Sequence, residues 1–147
     1  MLIYSMGVSV DGFIADREGG FGWSVPSDEQ FRFHTWCAIP KVVFSRTLDR
    51  VEGNARLAGA TVAEEAAAAL SATDKDVAIG GAGLAAAAIE LGLVDELRIF
   101  RHPIVVGGGT PFLPPVTEDV ALELIETRTF ASRVVFERYA RARRDSR

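Results

Sequence analysis

Residues 76–84 read Asp76-Val77-Ala78-Ile79-Gly80-Gly81-Ala82-Gly83-Leu84. The run up to Ile79 has strand composition. Gly83 to Leu91 has helix composition and stops at Gly92, a residue suited to ending a helix at positive φ. A strand that turns through glycines into a helix is the repeating unit of α/β sheets and implies a right-handed crossover to a parallel neighbour. At such a junction the free N–H groups and the helix dipole favour an anion, and missing side chains let a pyrophosphate approach the backbone. The same glycines also suit a tight turn and close helix-to-sheet packing, so this loop alone leaves both uses open.

The pattern extends outward in both directions. Glu96 to His102 reads as the next strand, and upstream Thr61-Val62-Ala63-Glu64 is a capping box that opens an alanine-rich helix to about Leu70. Lys41 to Ser45 is a further short strand, and the three strands from Lys41 onward are expected to share one direction in one sheet. Leu2 to Val10 reads as a buried strand stopped by Asp11-Gly12. Ser27 to Gln30 is a second capping box, opening a helix that must end by Pro40. Ala121–Thr129 and Arg133–Ala142, joined through Phe130-Ala131-Ser132, have hairpin spacing. No internal repeat interrupts this order, and residues 1–147 read as one α/β domain.

Composition excludes several functions. The single cysteine, Cys37, permits neither an internal disulfide nor a CxxC pair. A formal charge of −4 argues against nucleic acid as partner, because phosphate neutralisation needs a basic face. The basic cluster Arg138, Arg141, Arg143, Arg144 and Arg147 reads as a solvated chain end. No apolar run approaches the roughly 20 residues of a membrane span, and Met1 to Ser5 is strand-like rather than a leader, so a cytoplasmic location is expected. His34 and His102 have no ligand or triad partner nearby and read as packing or surface residues; no metal is expected. Hydrolase and NTPase signatures are absent.

Ligands of open α/β sheets bind beyond the carboxyl ends of the strands. That rule selects Gly80–Gly83, Ser45-Arg46-Thr47 and the stretch Pro103–Pro115 with Gly107-Gly108-Gly109-Thr110, joined by Asp11–Trp23 if the first strand runs parallel. Two hydroxyls around the Arg46 guanidinium can fork onto a 2′-phosphate, which favours NADPH over NADH; an exposed arginine with hydroxyls serving a turn is the plainer use. The Gly107 stretch suits a substrate cradle, a surface connection or a dimer contact. Asp28 and Glu29 lie in a helix first turn, where the dipole alone favours carboxylates.

Together these pieces resemble the dihydrofolate-reductase-like proteins that include the reductase domain of the bifunctional deaminase-reductase of bacterial riboflavin biosynthesis. The resemblance rests on Ser5-Met6-Gly7-Val8-Ser9-Val10-Asp11-Gly12-Phe13-Ile14-Ala15-Asp16, Pro40-Lys41-Val42-Val43-Phe44-Ser45-Arg46-Thr47-Leu48, Ile79-Gly80-Gly81-Ala82-Gly83-Leu84 and His102-Pro103-Ile104-Val105-Val106-Gly107-Gly108-Gly109-Thr110. It implies a three-layer α/β fold with a mostly parallel central sheet and a C-terminal antiparallel hairpin. It also implies NADPH along Ser45, Arg46, Thr47, Gly80, Gly81, Ala82, Gly83 and Leu84, with the nicotinamide near Met6, Gly7, Val8 and Ile14. Trp23, Pro26 and Asp28 look like the Trp, Pro and acid that open the substrate-side helix of dihydrofolate reductases, where the acid holds and helps protonate a pterin ring. By the same ordering Arg101 reaches the substrate side.

One departure stands out. Phe31–Thr35 runs straight into Trp36–Pro40, where family members carry another strand and helix, with a Gly-Arg loop and a following Thr or Tyr on the cofactor phosphates. That strand is internal to the sheet, so without it the remaining strands must re-pair or leave backbone groups unpaired, unless the segment exists in the molecule outside this numbering. The expectation is an NADPH-dependent reductase of a small heterocyclic substrate of the pterin or riboflavin-precursor kind, acting as a homodimer through the Gly107–Pro115 loop and the closing hairpin. The rival reading is a non-catalytic nucleotide-binding or dimerisation module of the same fold.

Overall fold

A computed structural model describes residues 1–25 and 39–142. The Ser27–Gln30 capping box, Asp28, Cys37 and the Thr35–Trp36 junction lie outside the described residues. The elements are β1 (Leu2–Ser9), β2 (Phe13–Ala15), a 3-10 turn (Gly22–Ser24), β3 (Lys41–Val43), β4 (Ala55–Leu57), α1 (Val62–Ser71), β5 (Val77–Ile79), α2 (Ala82–Glu90), β6 (Glu96–His102), β7 (Thr110–Pro111), β8 (Leu122–Thr129) and β9 (Val135–Arg141).

Five strands form one sheet in the order β5-β1-β6-β9-β8. β1 pairs in parallel with β5, Leu2 opposite Val77, and with β6, Ile3 opposite Glu96. The hairpin strand β9 then pairs antiparallel with both β6 and β8. The carboxyl ends of β5, β1 and β6 therefore share one edge, and the loop after β1 joins the others there.

The core forms where the even-numbered side chains of β1 meet α2. Leu2, Tyr4 and Val8 pack with Leu97, Ile99, Ala85, Ala88 and Ile89. Ala85 and Ala88 are fully buried, and their small size lets the helix lie close to the sheet. Tyr4 is fully buried, stacks on Phe112 with ring centroids 4.4 Å apart, and donates its hydroxyl to the Phe112 carbonyl at 3.0 Å. Burial alone pushes the Tyr4 hydroxyl up to about 12, so it stays a neutral donor at ordinary pH.

Across the β6–β9 ladder Arg98 stands directly opposite Arg138, an arrangement that repels on its own. Glu96, 3% exposed, resolves it by accepting from Nε of both guanidiniums. Burial pushes the Glu96 carboxyl up, but Arg138 and Arg98 outweigh it and leave the group below its ordinary value. Arg138 and Arg141 are thus β9 residues rather than part of a solvated tail; positions 143, 144 and 147 lie outside the described residues.

The expectation for β3 needs correcting. It does not join β5 and β6 but pairs in parallel with β4 as a separate two-stranded sheet. Among the described residues the outer edge of β5 has no ladder partner. The small sheet is tied instead to α1. Arg56 on β4 donates Nη1 to Glu65 Oε1 at 2.9 Å and Nη2 to Oε2, and the Gly59 N–H donates to Oε1 at 2.9 Å. The capping box that starts α1 is complete, with Thr61 and Glu64 bonded reciprocally.

Two predictions follow from these contacts. Tyr4→Phe leaves the Phe112 carbonyl without its donor and should cost about 1–2 kcal/mol in urea unfolding, with an unchanged slope. The Arg56 guanidinium, then the Gly59 amide, hold the Glu65 carboxyl down to about 2, against an ordinary value of 4.5. A lowered native value means the unfolded chain binds the proton first, so this contribution is present above about pH 4.5 and is lost as pH falls toward 2. Glu65→Gln should therefore melt below the wild type at neutral pH, with the difference closing across that acid range.

Candidate functional site

The Gly80–Gly83 loop links the buried end of β5 at Ile79 to α2. Gly81 is the helix N-cap at φ 88°, a conformation that excludes most side chains. The first i→i−4 bond of α2 runs from Ala85 N–H to the Gly81 carbonyl at 2.9 Å. The N–H groups of Ala82, Gly83 and Leu84 thus have no partner within the helix. A Cβ placed on Gly80, Gly81 or Gly83 would meet nothing within 4 Å. Gly80, Gly81 and Gly83 are exposed, so the start of the helix is open to an anion such as a pyrophosphate.

Beside it, the end of β1 carries Met6, Gly7 and Val8. Val8 points into the core at 1% exposure, and Met6, like Ile14 of β2, packs half-buried against it. Gly7 faces the other side of the sheet. A Cβ there would lie 3.0 Å from the Ser24 Cβ and 3.3 Å from His102 Nε2. Trp23 meets His102 edge-on at 5.8 Å, and its buried Nε1 has no hydrogen-bond partner among the described residues. Burial holds His102 below its ordinary value and favours the neutral imidazole. His102 is thus a packing residue, while Ser24 carries no signal of its own in the sequence. The available signal was Gly7, a glycine inside a strand, which marks close approach by another element.

The β1–β2 and β6–β7 loops are clamped together at Asp11. Its carboxylate accepts from Ser9 Oγ at 2.7 Å, Gly107 N–H at 2.8 Å and Val106 N–H at 3.2 Å. The Ser9 hydroxyl first, then the Gly107 and Val106 amides, outweigh desolvation and hold this carboxyl below its ordinary value. Arg17 donates to the Gly107 carbonyl, and β2 pairs antiparallel with β7. At Gly109, φ 129°, a Cβ would collide with the Ala15 carbonyl. Contacts within the chain thus fix the conformation of Gly107–Gly109.

The remaining candidate residues follow β3 of the small sheet or lie at the end of β6. Ser45, Arg46 and Thr47 are exposed and follow β3 in the two-stranded sheet. Ser45 Oγ accepts from the Thr47 and Leu48 N–H groups at 3.2 and 3.0 Å, so it serves the turn. Arg46 makes no ion pair among the described residues. Arg101 donates Nε to Glu137 Oε2 at 3.0 Å and Nη1 to the Ser9 and Val10 carbonyls at 3.5 and 3.4 Å. It thereby stitches β9 to the end of β1. Among the described residues no helix is long and apolar enough to cross a membrane, and no acid, histidine or cysteine cluster is placed to hold a metal ion.

A family model described as the RibD C-terminal domain matches residues 37–136. The Bacillus subtilis (strain 168) protein YyaP, itself uncharacterised, is 40% identical over 96 residues, which cover 65% of this chain and 51% of that protein. The match thus spans about half the length of that curated relative. Among solved structures, a putative riboflavin biosynthesis protein from Shewanella sp. PV-4 superposes with a TM-score of 0.79 at 22% identity, covering 97% of this chain and 99% of that one. Dihydrofolate reductase from Enterococcus faecalis, complexed with NADP(H) and RAB-propyl, gives 0.66 at 19% identity, with 97% of each chain covered. The α/β fold is therefore dihydrofolate reductase-like.

Asp11→Ala would leave two loop amides without their shared acceptor. Hydrogen exchange at Val106 and Gly107 should accelerate at least about tenfold while β1 and β6 stay protected; unchanged exchange at those two amides would show that the clamp does not hold the loop.

Proposed function

The chain belongs to the RibD C-terminal domain family, and from that premise we propose that it is an NADPH-dependent reductase. Its substrate on this reading is a small heterocycle of the pterin or riboflavin-precursor class. The observation that carries the reading is the strand-to-helix turn at Gly80–Gly83 beside β1, where the N–H groups of Ala82, Gly83 and Leu84 have no partner within the helix and the glycines are exposed. That cradle fits a dinucleotide pyrophosphate, and a bound NADPH would supply a hydride from its nicotinamide ring.

The chain's own residues divide the remaining work. Gly80, Gly81, Ala82, Gly83 and Leu84 hold the pyrophosphate through backbone N–H groups. Ser45, Arg46 and Thr47 take the 2′-phosphate, where the exposed guanidinium forks onto its oxygens. On this reading the nicotinamide ring lies against the backbone of Met6, Gly7 and Val8 at the end of β1, with Ile14 beside it. Hydride transfer then depends mainly on positioning. Asp28 delivers the accompanying proton, and Trp23 and Arg101 border the substrate. A cytoplasmic location goes with this reading. The separation of the β3–β4 sheet from the five-stranded sheet favours one rival, a nucleotide-binding module without turnover.

Gly83→Asp tests the carrying observation. The new side chain meets open space, and its carboxylate suits a helix first turn, so stability should hold or rise. NADPH affinity by calorimetry should nevertheless fall at least about tenfold, because a fixed anion replaces the approach of a phosphate. Undiminished affinity would sink the assignment. Arg46→Ala should weaken NADPH far more than NADH, and equal losses would remove the 2′-phosphate role. Purified protein that binds NADPH yet oxidises it against no pterin-like or pyrimidine-like acceptor would favour the rival.

A further inference from the structure

At the amino end of β6, away from the strand ends that carry the candidate site, lies a groove of about 350 Å³. Its floor belongs to the core, for Ile89 of α2, Val94 and Leu97 are buried. Its walls, Leu113, Val116 and Leu122, are 45%, 42% and 39% exposed. Small-molecule sites are of this kind, an apolar hollow with a few placed polar groups. A second hollow of about 180 Å³ adjoins it and has Glu90, Thr117 and Glu118 in its lining. Asp119 and Arg141 line both, so they stand where the apolar and polar parts meet.

These two charges are uncommitted. Neither side chain makes an ion pair or a hydrogen bond among the described residues, to the other or to any neighbour. Three other acids of the two hollows are taken. Asp95 accepts the Leu2 N–H, Glu96 accepts from Arg98 and Arg138, and Glu90 accepts from the Thr117 N–H and Oγ1 at 3.1 and 3.2 Å. The Glu90 contacts also tie the loop after β7 to the end of α2, so the groove has its shape before anything enters it. Arg141 is placed by Gly92, where φ is 69° and a Cβ would lie 2.9 Å from Nη1. A residue without a side chain at that point lets the guanidinium lie against the end of the helix.

We propose that this is a second ligand site, separate from the cofactor edge, and that it takes an apolar α-amino acid. The side chain occupies the groove, the α-carboxylate meets the Arg141 guanidinium and the α-ammonium donates to Asp119. Two opposite charges that flank one opening without pairing match a zwitterion attached to an apolar body. A simple apolar anion would satisfy Arg141 but face the Asp119 carboxylate, and an apolar amine would meet the reverse conflict. The six steps from Glu96 to His102 span roughly 20 Å of strand, so occupancy here leaves the Gly80 edge free.

Calorimetric titration of the full chain with L-leucine should show saturable binding, and the methyl NMR shifts of Leu113, Val116 and Leu122 should follow it. L-Leucinamide, which lacks the carboxylate, and 4-methylpentanoate, which lacks the ammonium, should each bind at least about tenfold more weakly. Arg141→Gln should cost L-leucine at least about tenfold and leave L-leucinamide unchanged. Asp119→Asn should cost L-leucine likewise and leave 4-methylpentanoate no weaker, with circular dichroism confirming that both variants fold. No saturable binding of L-leucine up to about 10 mM, 4-methylpentanoate as tight as L-leucine, or variants that weaken all three ligands equally would each overturn the proposal. Methyl shifts that follow protein concentration and ignore the amino acid would give the groove to a second copy and overturn it too.

Discussion

The constraint on which the structure depends is the burial of β1 between two parallel neighbours. Its start is fixed three times over: Val77 N–H donates to the Met1 carbonyl, Leu2 N–H to Asp95 Oδ2 and Asp95 N–H to the Leu2 carbonyl, at 2.8–2.9 Å. With that end pinned, a register slip would turn Leu2, Tyr4 and Val8 out of the core and is strongly disfavoured. Parallel pairing then brings the ends of β5, β1 and β6 to one edge without further instruction. This alignment brings the Gly80 turn beside the strand that carries Gly7 and leads into the Asp11 clamp, although Gly80 is far from both in sequence.

Elements whose signals are local could be read from the chain. Thr61 and Glu64 announce α1, Gly81 and Gly92 bracket α2, and the runs at 2–9, 77–79 and 96–102 have plain strand composition. The strands β2, β4 and β7 were not legible, because two or three residues carry no periodicity and form only where another segment supplies the partner. The segregation of β3 was hidden for the same reason, as Lys41–Val43 is equally good strand in either sheet. In the site, glycines were informative because they report directly on backbone space. Ser24, His102 and the Asp11 hub were not, because their partners lie up to 96 positions away.

Charge sorts the antiparallel half of the sheet as apolar packing sorts the parallel half. Glu96 settles the facing Arg98 and Arg138, and Glu137 takes Arg101. Isolated surface pairs contribute little, but Glu96 is buried, so removing either arginine would weaken compensation of a desolvated carboxylate. The pairs therefore fix which strand lies where. At β8 the inward side meets this network through Glu126 and Arg138, 3.9 Å apart, while Glu123 has no such neighbour within its own sheet among the described residues.

The two phosphate-suited loops rest on supports of different kinds, and this bears on how the proposed cofactor would be selected. Gly80–Gly83 is held by β5 and α2, both packed into the core, so its amides are oriented before any ligand arrives and little ordering opposes binding there. Ser45–Thr47 is carried by three-residue strands whose tie to the rest runs through Arg56, Gly59 and Glu65 into α1. On the proposed reading, affinity for the pyrophosphate common to both nicotinamide cofactors comes from the rigid loop. Preference between them comes from the small sheet. A change that loosens the Arg56–Glu65 clamp, without touching any ligand, would then erode discrimination before it eroded binding.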